Sequence, residues 1–469
     1  MRTRRPNLWR RLALWRLEAQ ATLGLGIPLA LSQLAQIAIQ TTEVVMLGWL
    51  GPDYLAAGGL AANVFFIQFL FGLGVTTAVS PIVAQIVGRP GRRGKLRDVR
   101  RVVRQGFWVA TALGVPFMLV CWQVRPILIA LGQDADLALL AEAYMHAMLW
   151  AVLPALWFIV LRCFVSAFGR MRAVLGVTLW GVAFNGVCGY GLIFGHFGLP
   201  ALGMVGAGIS AALTHGSMVG LLLVYLLIDR RFRRYKLLGR LWRPDWPRFL
   251  EIFRIGLPIG GMWVLEGGVF AAALFLMGLI GTMEIAAHQI ALQCAAIAFM
   301  VPLGISQAAT VRVGLAAGAG DPLQIRRAGW TAITLGTGFM ALTCLLFLLA
   351  GTFLVRLFLD PADPATVAVA QLAEQLLIVA GLFQLFDGAQ SVGAGALRGL
   401  KDTRLPLVIA LIGYWLIAFP LAVALGFGFD GGAVGIWVGL AAGLAVAAVL
   451  LNLRFHWLSR RALPQRAMA

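Results

Sequence analysis

Long apolar stretches, each long enough to cross a lipid bilayer as a helix, recur from one end of this chain to the other. About 20 apolar residues in a helix span the hydrocarbon core of a membrane. The chain is 61% hydrophobic and only 12% charged, a composition that excludes a soluble enzyme. We therefore predict an all-α polytopic membrane protein with twelve transmembrane helices. The predicted spans are 22–47, 54–87, 103–124, 137–163, 171–194, 203–228, 256–280, 285–316, 328–355, 366–396, 405–427 and 433–453.

Basic residues collect on one side of these spans. The densest groups fall within 2–16, 89–104 and 230–254, and of the 38 lysines and arginines only Arg125 and Arg356 fall on the other side. That other side carries mainly acids, namely Asp53, Asp134, Asp136, Glu284, Asp360, Asp363 and Asp430. An excess of basic residues marks the cytoplasmic side, so both termini are predicted to be cytoplasmic in a bacterial inner membrane. We expect the basic groups to contact anionic lipid and not nucleic acid.

The two halves of the chain share one plan at an offset of about 230 residues. Gly26-Ile27-Pro28 matches Gly256-Leu257-Pro258, and Gly74 matches Gly304. We predict two six-helix lobes related by pseudo-twofold symmetry, which open alternately to each side. The matched prolines are expected to bend their helices, as fixed kinks or as moving hinges. The predicted domains are an N-terminal lobe at 1–228, a basic cytoplasmic linker at 229–255, a C-terminal lobe at 256–453 and a basic cytoplasmic tail at 454–469.

Three carboxylic acids stand inside predicted spans, where a charge is costly and is usually kept for a function. Glu266 lies about ten residues into span seven, or roughly 15 Å along the helix axis. Asp387 lies well inside span ten, and Glu43 lies nearer one end of span one. Glu266 corresponds in the repeat to the neutral Gln36, so the paired acids belong to the C-terminal lobe alone. Two carboxyl groups in one cavity favour proton uptake, whereas Na⁺ among oxygens keeps both ionised.

Other polar residues in the spans carry less information. Asn185 and Gln293 are expected to form hydrogen bonds between helices, and both are placed in the predicted substrate cavity. His146, His196, His215 and His288 show no metal-binding or catalytic spacing, and His288 is expected to have a packing or interfacial role. The five cysteines are expected to be packing residues. The sequence has no enzyme motif, so we predict neither an enzyme nor a bound cofactor.

Several short motifs resemble the multidrug and toxic compound extrusion (MATE) transporter family over nearly the whole chain. They are Thr42-Glu43-Val44-Val45-Met46-Leu47-Gly48, Pro81-Ile82-Val83-Ala84-Gln85, Leu265-Glu266, Ala286-Ala287-His288-Gln289-Ile290-Ala291-Leu292, Asp387-Gly388-Ala389-Gln390 and Gly395-Ala396-Leu397-Arg398-Gly399-Leu400-Lys401-Asp402. The resemblance is strongest to the NorM-like branch. It implies two six-helix lobes and the export of cationic or amphipathic compounds against inward Na⁺ or H⁺.

The resemblance also implies roles for individual residues. Glu266 and Asp387 would form the coupling-ion site for Na⁺ or H⁺, and Glu43 replaces the usual aspartate of the first span. Phe383 stands where the NorM-like pattern often has tyrosine, which removes one oxygen near Asp387. Gly189 stands where the DinF-like branch tends to have aspartate, so a proton switch of that design is not expected in the N-terminal lobe. The implied substrate cavity contains Glu43, Asn185, Glu266, Gln293, Phe383 and Asp387.

These observations predict a monomeric, cation-coupled multidrug antiporter in which the drug's positive charge and the coupling ion compete for Glu266 and Asp387. The main alternative is a flippase for lipid-linked precursors with a related two-lobe design. A flippase should place basic residues in its cavity to meet phosphate, whereas the buried charges of this chain are expected to be acidic. A channel is a second alternative, but no filter-like segment is found.

Overall fold

The fold is taken from a computed structural model, which describes residues 8–91, 94–237, 239, 241–359 and 366–461, with only the backbone for residues 8–11. Some residues of the predicted charge pattern lie outside this part of the chain. They are Arg2, Arg4, Arg5, Arg92, Arg93, Arg240, Asp360, Asp363 and the end of the predicted tail.

Helices account for nearly all of the described residues. They are α1 Leu8–Leu50, α2 Pro52–Thr77, α3 Val79–Gly88, α4 Lys95–Trp122, α5 Val124–Ala130, α6 Ala135–Met148, α7 Val152–Ala167, α8 Met171–Phe194, α9 Gly203–Ile228, α10 Arg230–Arg233, α11 Trp246–Ile280, α12 Thr282–Ala319, α13 Pro322–Arg356, α14 Val367–Gly399, α15 Arg404–Leu411, α16 Phe419–Val423 and α17 Gly432–Arg461. Within the described chain, twelve helical segments are long and apolar enough to cross a membrane, and each coincides with a predicted span. The prediction of an all-α protein with twelve spans is confirmed.

The predicted spans differ from the helices in two respects. Helix α11 begins at Trp246, inside the predicted linker, and α17 continues to Arg461, inside the predicted tail, because a helix can extend past the apolar segment into polar sequence. Spans two, four and eleven also contain breaks in regular α-helix. The break between α2 and α3 precedes Pro81, and a 3₁₀ turn at Leu149–Ala151 precedes Pro154. Each proline lies in the first turn of the next helix, where its missing N–H costs nothing.

The chain divides into two compact units. The C unit contains the described residues within Met1–Leu31, Gly88–Pro90 and Val264–Ala469, and the N unit contains those within Ser32–Val87 and Gly91–Trp263. Helices α1 and α11 each pass from one unit to the other a few residues after their matched prolines, Pro28 and Pro258. The lobe borders predicted from the repeat stay a prediction.

The repeat is visible in one close helix crossing of each unit. In the N unit, a Cβ atom on Gly74 would lie 2.5 Å from the backbone of Gly260. In the C unit, a Cβ atom on Gly304 would lie 2.5 Å from the backbone of Ala30. Gly304 lies 230 residues after Gly74, and Gly260 lies 230 residues after Ala30. This is the offset that relates the two halves of the sequence. Each unit therefore contains the same glycine-dependent crossing of two helices.

Buried basic side chains are satisfied inside each unit, which corrects the expectation that the buried charges are acidic. In the N unit, Arg162 is 3% exposed and donates to Gln33 Oε1 at 2.8 Å. In the C unit, Arg398 is 8% exposed and donates to Ser306 Oγ at 2.8 Å. A buried guanidinium is tolerated when its donors are paired. These arginines thus form part of the helix packing in their own units.

A two-pronged ion pair fixes the first turns of α1 within the C unit. Arg312 donates from Nε to Glu18 Oε1 at 2.8 Å and from Nη2 to Glu18 Oε2 at 2.7 Å. Glu18 is buried, and fork-to-fork geometry is the strongest form of such a pair. The ion pair accommodates the buried carboxylate of Glu18 in α1. The apolar pattern alone does not predict that this helix begins as early as Leu8.

Candidate functional site

Helix α14 carries Asp387 into the interior of the C unit because small residues surround that position. A Cβ atom on Gly388 would lie 2.6 Å from Met340 Cγ, and one on Gly395 would lie 2.4 Å from the Ser306 carbonyl. Glycine at these positions lets α12 and α13 pack directly against α14. The Asp387 side chain is consequently only 6% exposed. The structure thus buries this carboxyl group inside one unit, and its role at a coupling-ion site stays a prediction.

Glu266 on α11 is joined to the same region through an amide and a phenol. Gln390, one turn after Asp387, donates from Nε2 to Glu266 Oε1 at 3.2 Å and to Tyr414 Oη at 2.6 Å. Asp387 lies three residues before Gln390, on the same face of α14. The structure thus brings the two predicted acids together. We call Glu266, Asp387, Gln390 and Tyr414 the carboxyl cluster.

Tyr414 reaches this cluster from a stretch of π-helix, Ile412–Ala418, in span eleven. Such stretches are rare and often occur at functional sites. The next residue, Trp415, donates from its indole Nε1 to the Leu265 carbonyl at 3.1 Å. Two successive side chains therefore attach span eleven to the neighbourhood of Glu266. The sequence assigned no role to Tyr414 or Gln390, although both are polar residues inside apolar spans and Gln390 ends the motif that begins at Asp387.

Two buried oxygen atoms of the carboxyl cluster have no hydrogen-bond partner. They are Asp387 Oδ1 and Gln390 Oε1, which belong to residues three apart on α14 and so lie on one face of the helix. Leaving a buried polar atom unpaired costs about 1–3 kcal/mol. A proton on the carboxylate, a hard cation or a cationic ligand would each remove that cost. The arrangement is chemically suited to receive positive charge.

Aromatic side chains pack behind the cluster. Phe383 is 2% exposed and lies edge-on to Phe270 and Trp437, at centroid distances of 5.9 and 5.5 Å. The Trp437 indole in turn donates to His288 Nδ1 at 3.1 Å. His288 is completely buried, so its predicted packing role is the one observed and an interfacial role is excluded. Phe383 presents no open face in this structure, and its place in a substrate cavity stays a prediction.

The N unit contains the third acid in a separate polar group. Asn185 donates from Nδ2 to Glu43 Oε1 at 2.9 Å and lies 3.4 Å from Thr214 Oγ1. This hydrogen bond joins α1 to α8, as expected for a polar residue between helices. A cavity of about 90 Å³ lies beside it, lined in part by Gln36, Glu43, Phe65, Phe69 and His215. The repeat mate of Glu266, Gln36, therefore lines the same cavity as Glu43.

Two further positions from the sequence can be located. A Cβ atom on Gly189 would lie 3.0 Å from Met46 Sδ, so this position has little space for an aspartate. The absence of a DinF-like proton switch stays a prediction. Gln293 on α12 has an exposed side chain, and the expected hydrogen bond between helices is not formed. Its place in a substrate cavity stays a prediction.

In the part of the chain that the structure describes, twelve helices are long and apolar enough to cross a membrane, and in both units these helices carry carboxyl groups. This repeated plan defines a polytopic membrane protein of the secondary-transporter class. The sequence model of the MatE family matches residues 28–190 and again residues 258–424. The second match begins 230 residues after the first, at the proline paired with Pro28. The chain belongs to the MatE family.

Curated relatives cover almost the whole chain. A protein named "Probable multidrug resistance protein NorM" from Mesorhizobium japonicum is 48% identical, over 95% of each chain. A protein of the same name from Pseudomonas aeruginosa is 42% identical, over 96% of this chain and 91% of its own. These identities place the chain with the NorM-like proteins, as the motifs predicted.

Solved structures of MATE transporters share the fold. The eukaryotic MATE transporter AtDTX14 superposes with a TM-score of 0.84 at 22% identity, covering 96% of this chain and 98% of its own. A mutant of the Vibrio cholerae MATE transporter VcmN gives a TM-score of 0.86 at 17% identity, covering 95% and 98%. A MOP superfamily transporter from Pyrococcus furiosus, described as having reverse polarity of its binding pocket, gives 0.83 at 19%, covering 95% and 96%. The fold alone therefore leaves the polarity of the site to be argued from residues.

Proposed function

We propose that this chain exports cationic or amphipathic organic compounds by antiport, in exchange for inward Na⁺ or H⁺. It acts in this proposal as a monomer in the bacterial plasma membrane, with both termini in the cytoplasm and without a cofactor or a nucleic-acid partner. The multidrug-resistance names of its curated relatives support export of drugs. The same names do not favour the alternative of a lipid-precursor flippase.

The observation that carries the proposal is Asp387, a buried carboxyl group whose Oδ1 atom has no hydrogen-bond partner. Glu266 and the unpaired Gln390 Oε1 lie in the same cluster. Acidic and neutral oxygens attract a cation and repel a phosphate group, which supports positively charged cargo. Glu43 would supply a third acid, in the N unit, for contact with the cargo.

Exchange would follow from competition at the carboxyl cluster. The coupling ion and the positive charge of the drug would each neutralise Glu266 and Asp387, so one must leave for the other to bind. A ligand drives a conformational change only through its different affinity for the two states. Competition for shared carboxyl groups supplies that difference. The lobes predicted from the repeat would then open alternately to each side of the membrane.

Transport of an ethidium-like cation by proteoliposomes tests this proposal. Glu266→Gln and Asp387→Asn are each expected to reduce gradient-driven export at least tenfold, because each removes a group that must exchange its charge. Asp430→Asn is the matched control, since Asp430 is exposed and asparagine tolerates its φ of 55° equally well. Wild-type export rates for both cluster variants would refute the proposal.

The same vesicles identify the coupling ion. Export is to be measured under a Na⁺ gradient alone and under a proton gradient alone, and the gradient that drives it names the ion. A channel would show conduction of the cation without a fixed exchange ratio.

A further inference from the structure

A pocket rich in arginine lies within the N unit, where α4 begins and where the chain enters α11. We call it the arginine pocket; it has a volume of about 520 Å³. Ten residues line it, namely Arg97, Arg100, Arg101, Arg104, Gln105, Arg243, Pro244, Asp245, Trp246 and Pro247. Five guanidinium groups thus face one carboxylate among its lining residues. The carboxyl cluster and the Glu43 cavity share no residue with this pocket.

Four of the arginines form one stripe on α4. Their spacing is i, i+3, i+4 and i+7, which places Arg97, Arg100, Arg101 and Arg104 on a single face. Like charges at these spacings destabilise an isolated helix. Among the described residues, Asp98 lies in the same turn and Asp245 lines the pocket, so two acids accompany four arginines. The positive charge of the stripe therefore favours the binding of a further anion.

The pocket wall is fixed in place by the linker that precedes α11. Arg104 Nε donates to the Leu237 carbonyl at 3.3 Å, and Gln105 Nε2 donates to the Arg243 carbonyl at 3.3 Å. Trp108 Nε1 donates to the Leu241 carbonyl at 2.8 Å. Arg101 completes the set through an ion pair with Asp245. These four attachments, from successive turns of α4, hold the arginines in a preformed concave site.

Part of the arginine charge remains available. Arg101 and Arg104 are used to hold the linker, whereas Arg97 and Arg243 are exposed. Arg100 also lines the pocket, and its Nε atom is buried without a hydrogen-bond partner. A buried unpaired donor favours an acceptor that the protein itself does not provide. An oxyanion with several acceptor oxygens meets this requirement.

The position of the pocket indicates which kind of molecule supplies that oxyanion. The exposed indole of Trp246 lines it, and the exposed Trp242 is close in sequence. Tryptophan is enriched at the membrane–water interface, and α4 becomes apolar directly after the arginine stripe. Basic pockets at the cytoplasmic ends of membrane helices suit lipid headgroups. We infer that the arginine pocket binds the phosphate group of an anionic phospholipid from the surrounding leaflet.

Native mass spectrometry of the purified full chain tests this inference, with phosphatidylglycerol and phosphatidylcholine of identical acyl chains as probes. The test variant combines Arg97→Gln, Arg100→Gln and Arg243→Gln, which spares the arginines that hold the linker. The control variant combines Arg230→Gln, Arg231→Gln and Arg233→Gln on the exposed α10, with the same loss of net charge. Inorganic phosphate is added in a separate titration as a soluble competitor.

Wild type and the control variant are expected to retain phosphatidylglycerol in preference to phosphatidylcholine. The test variant is expected to lose about a hundredfold in affinity for phosphatidylglycerol, since each basic group near a membrane surface contributes roughly a factor of five. Replacing the same three arginines with lysine keeps the charge and should lose less than about tenfold. Equal melting temperatures of the variants establish that the fold is intact.

Three results would overturn the inference. Equal losses in the test and control variants would mean that only net charge matters. Unchanged binding in the test variant would exclude the pocket. Displacement of the lipid by millimolar inorganic phosphate would identify a soluble phosphate compound as the ligand instead.

Discussion

At the scale of single residues, the acids differ in whether hydrogen-bond donors reach their carboxylate oxygens. Glu18 has two donors from Arg312, and Glu43 has one from Asn185. Asp387 has a buried oxygen without any. Because an unpaired buried oxygen costs about 1–3 kcal/mol, a protein keeps one where a ligand will supply the missing partner. Asp387 is therefore the residue on which the proposed exchange depends most directly.

A satisfied acid outside the membrane gives a pH prediction. Burial opposes the ionisation of Asp245, but the hydrogen bond from Arg101 and the charges of Arg101 and Arg248 outweigh it and lower its pKa. A lowered pKa in the folded state stabilises the fold above the unfolded value of about 3.9, and this stabilisation is lost only as pH falls through the lowered value.

We therefore expect the difference in melting temperature between wild type and Asp245→Asn to stay constant from about pH 8 to pH 5 and to shrink only below about pH 4. Thermal unfolding in detergent across this range measures the difference, and the other acids are common to both proteins. A difference that disappears between pH 7 and pH 5 would contradict the assignment.

At the scale of helices, the repeated crossings set where the chain tolerates an added methyl group. Gly304→Ala would place its Cβ atom against the backbone of Ala30, which cannot move aside as a flexible side chain does. Gly24→Ala on α1 meets nothing within 4 Å. Alanine in a helix is otherwise favoured over glycine by up to about 1 kcal/mol.

Gly304→Ala should therefore destabilise the protein by about 1–3 kcal/mol, whereas Gly24→Ala should be neutral or slightly stabilising. The repeat predicts the same loss for Gly74→Ala, whose Cβ atom would meet Gly260. Melting temperatures of the three variants in one detergent make the comparison. Equal stability of Gly304→Ala and Gly24→Ala would show that these helices do not approach as closely as described.

The sequence predicted the helices well because the bilayer imposes one length and one composition on each span. It did not predict the π-helical stretch at Ile412–Ala418, since the residues there are as apolar as those of a regular helix. It also placed the start of α11 too late, because apolar periodicity ends at the membrane while the helix continues to Trp246. Apolar pattern reports burial in lipid, and it does not report local backbone geometry.

At the scale of the whole molecule, the sequence identified the acids but not their partners. Glu266, Asp387 and Glu43 were recognisable because a charge in an apolar span is rare. Gln390 and Tyr414 are neutral, and only the packing of α14 against span eleven reveals that they join Glu266. The buried arginines at 162 and 398 were missed for a related reason. From sequence alone, a basic residue near the end of a span is interpreted as a marker of the cytoplasmic side. Only its hydrogen-bond partners show that it is part of the helix packing.

In the proposed mechanism, cargo and coupling ion compete for one set of carboxyl groups in the C unit. Adding tetraphenylphosphonium to the purified protein in weak buffer, while recording released protons and Na⁺, measures this competition. Wild type and Asp430→Asn are predicted to release ions in proportion to bound cargo, and Asp387→Asn is predicted to release few or none. Cargo binding to wild type without ion release, or undiminished release from Asp387→Asn, would contradict the mechanism.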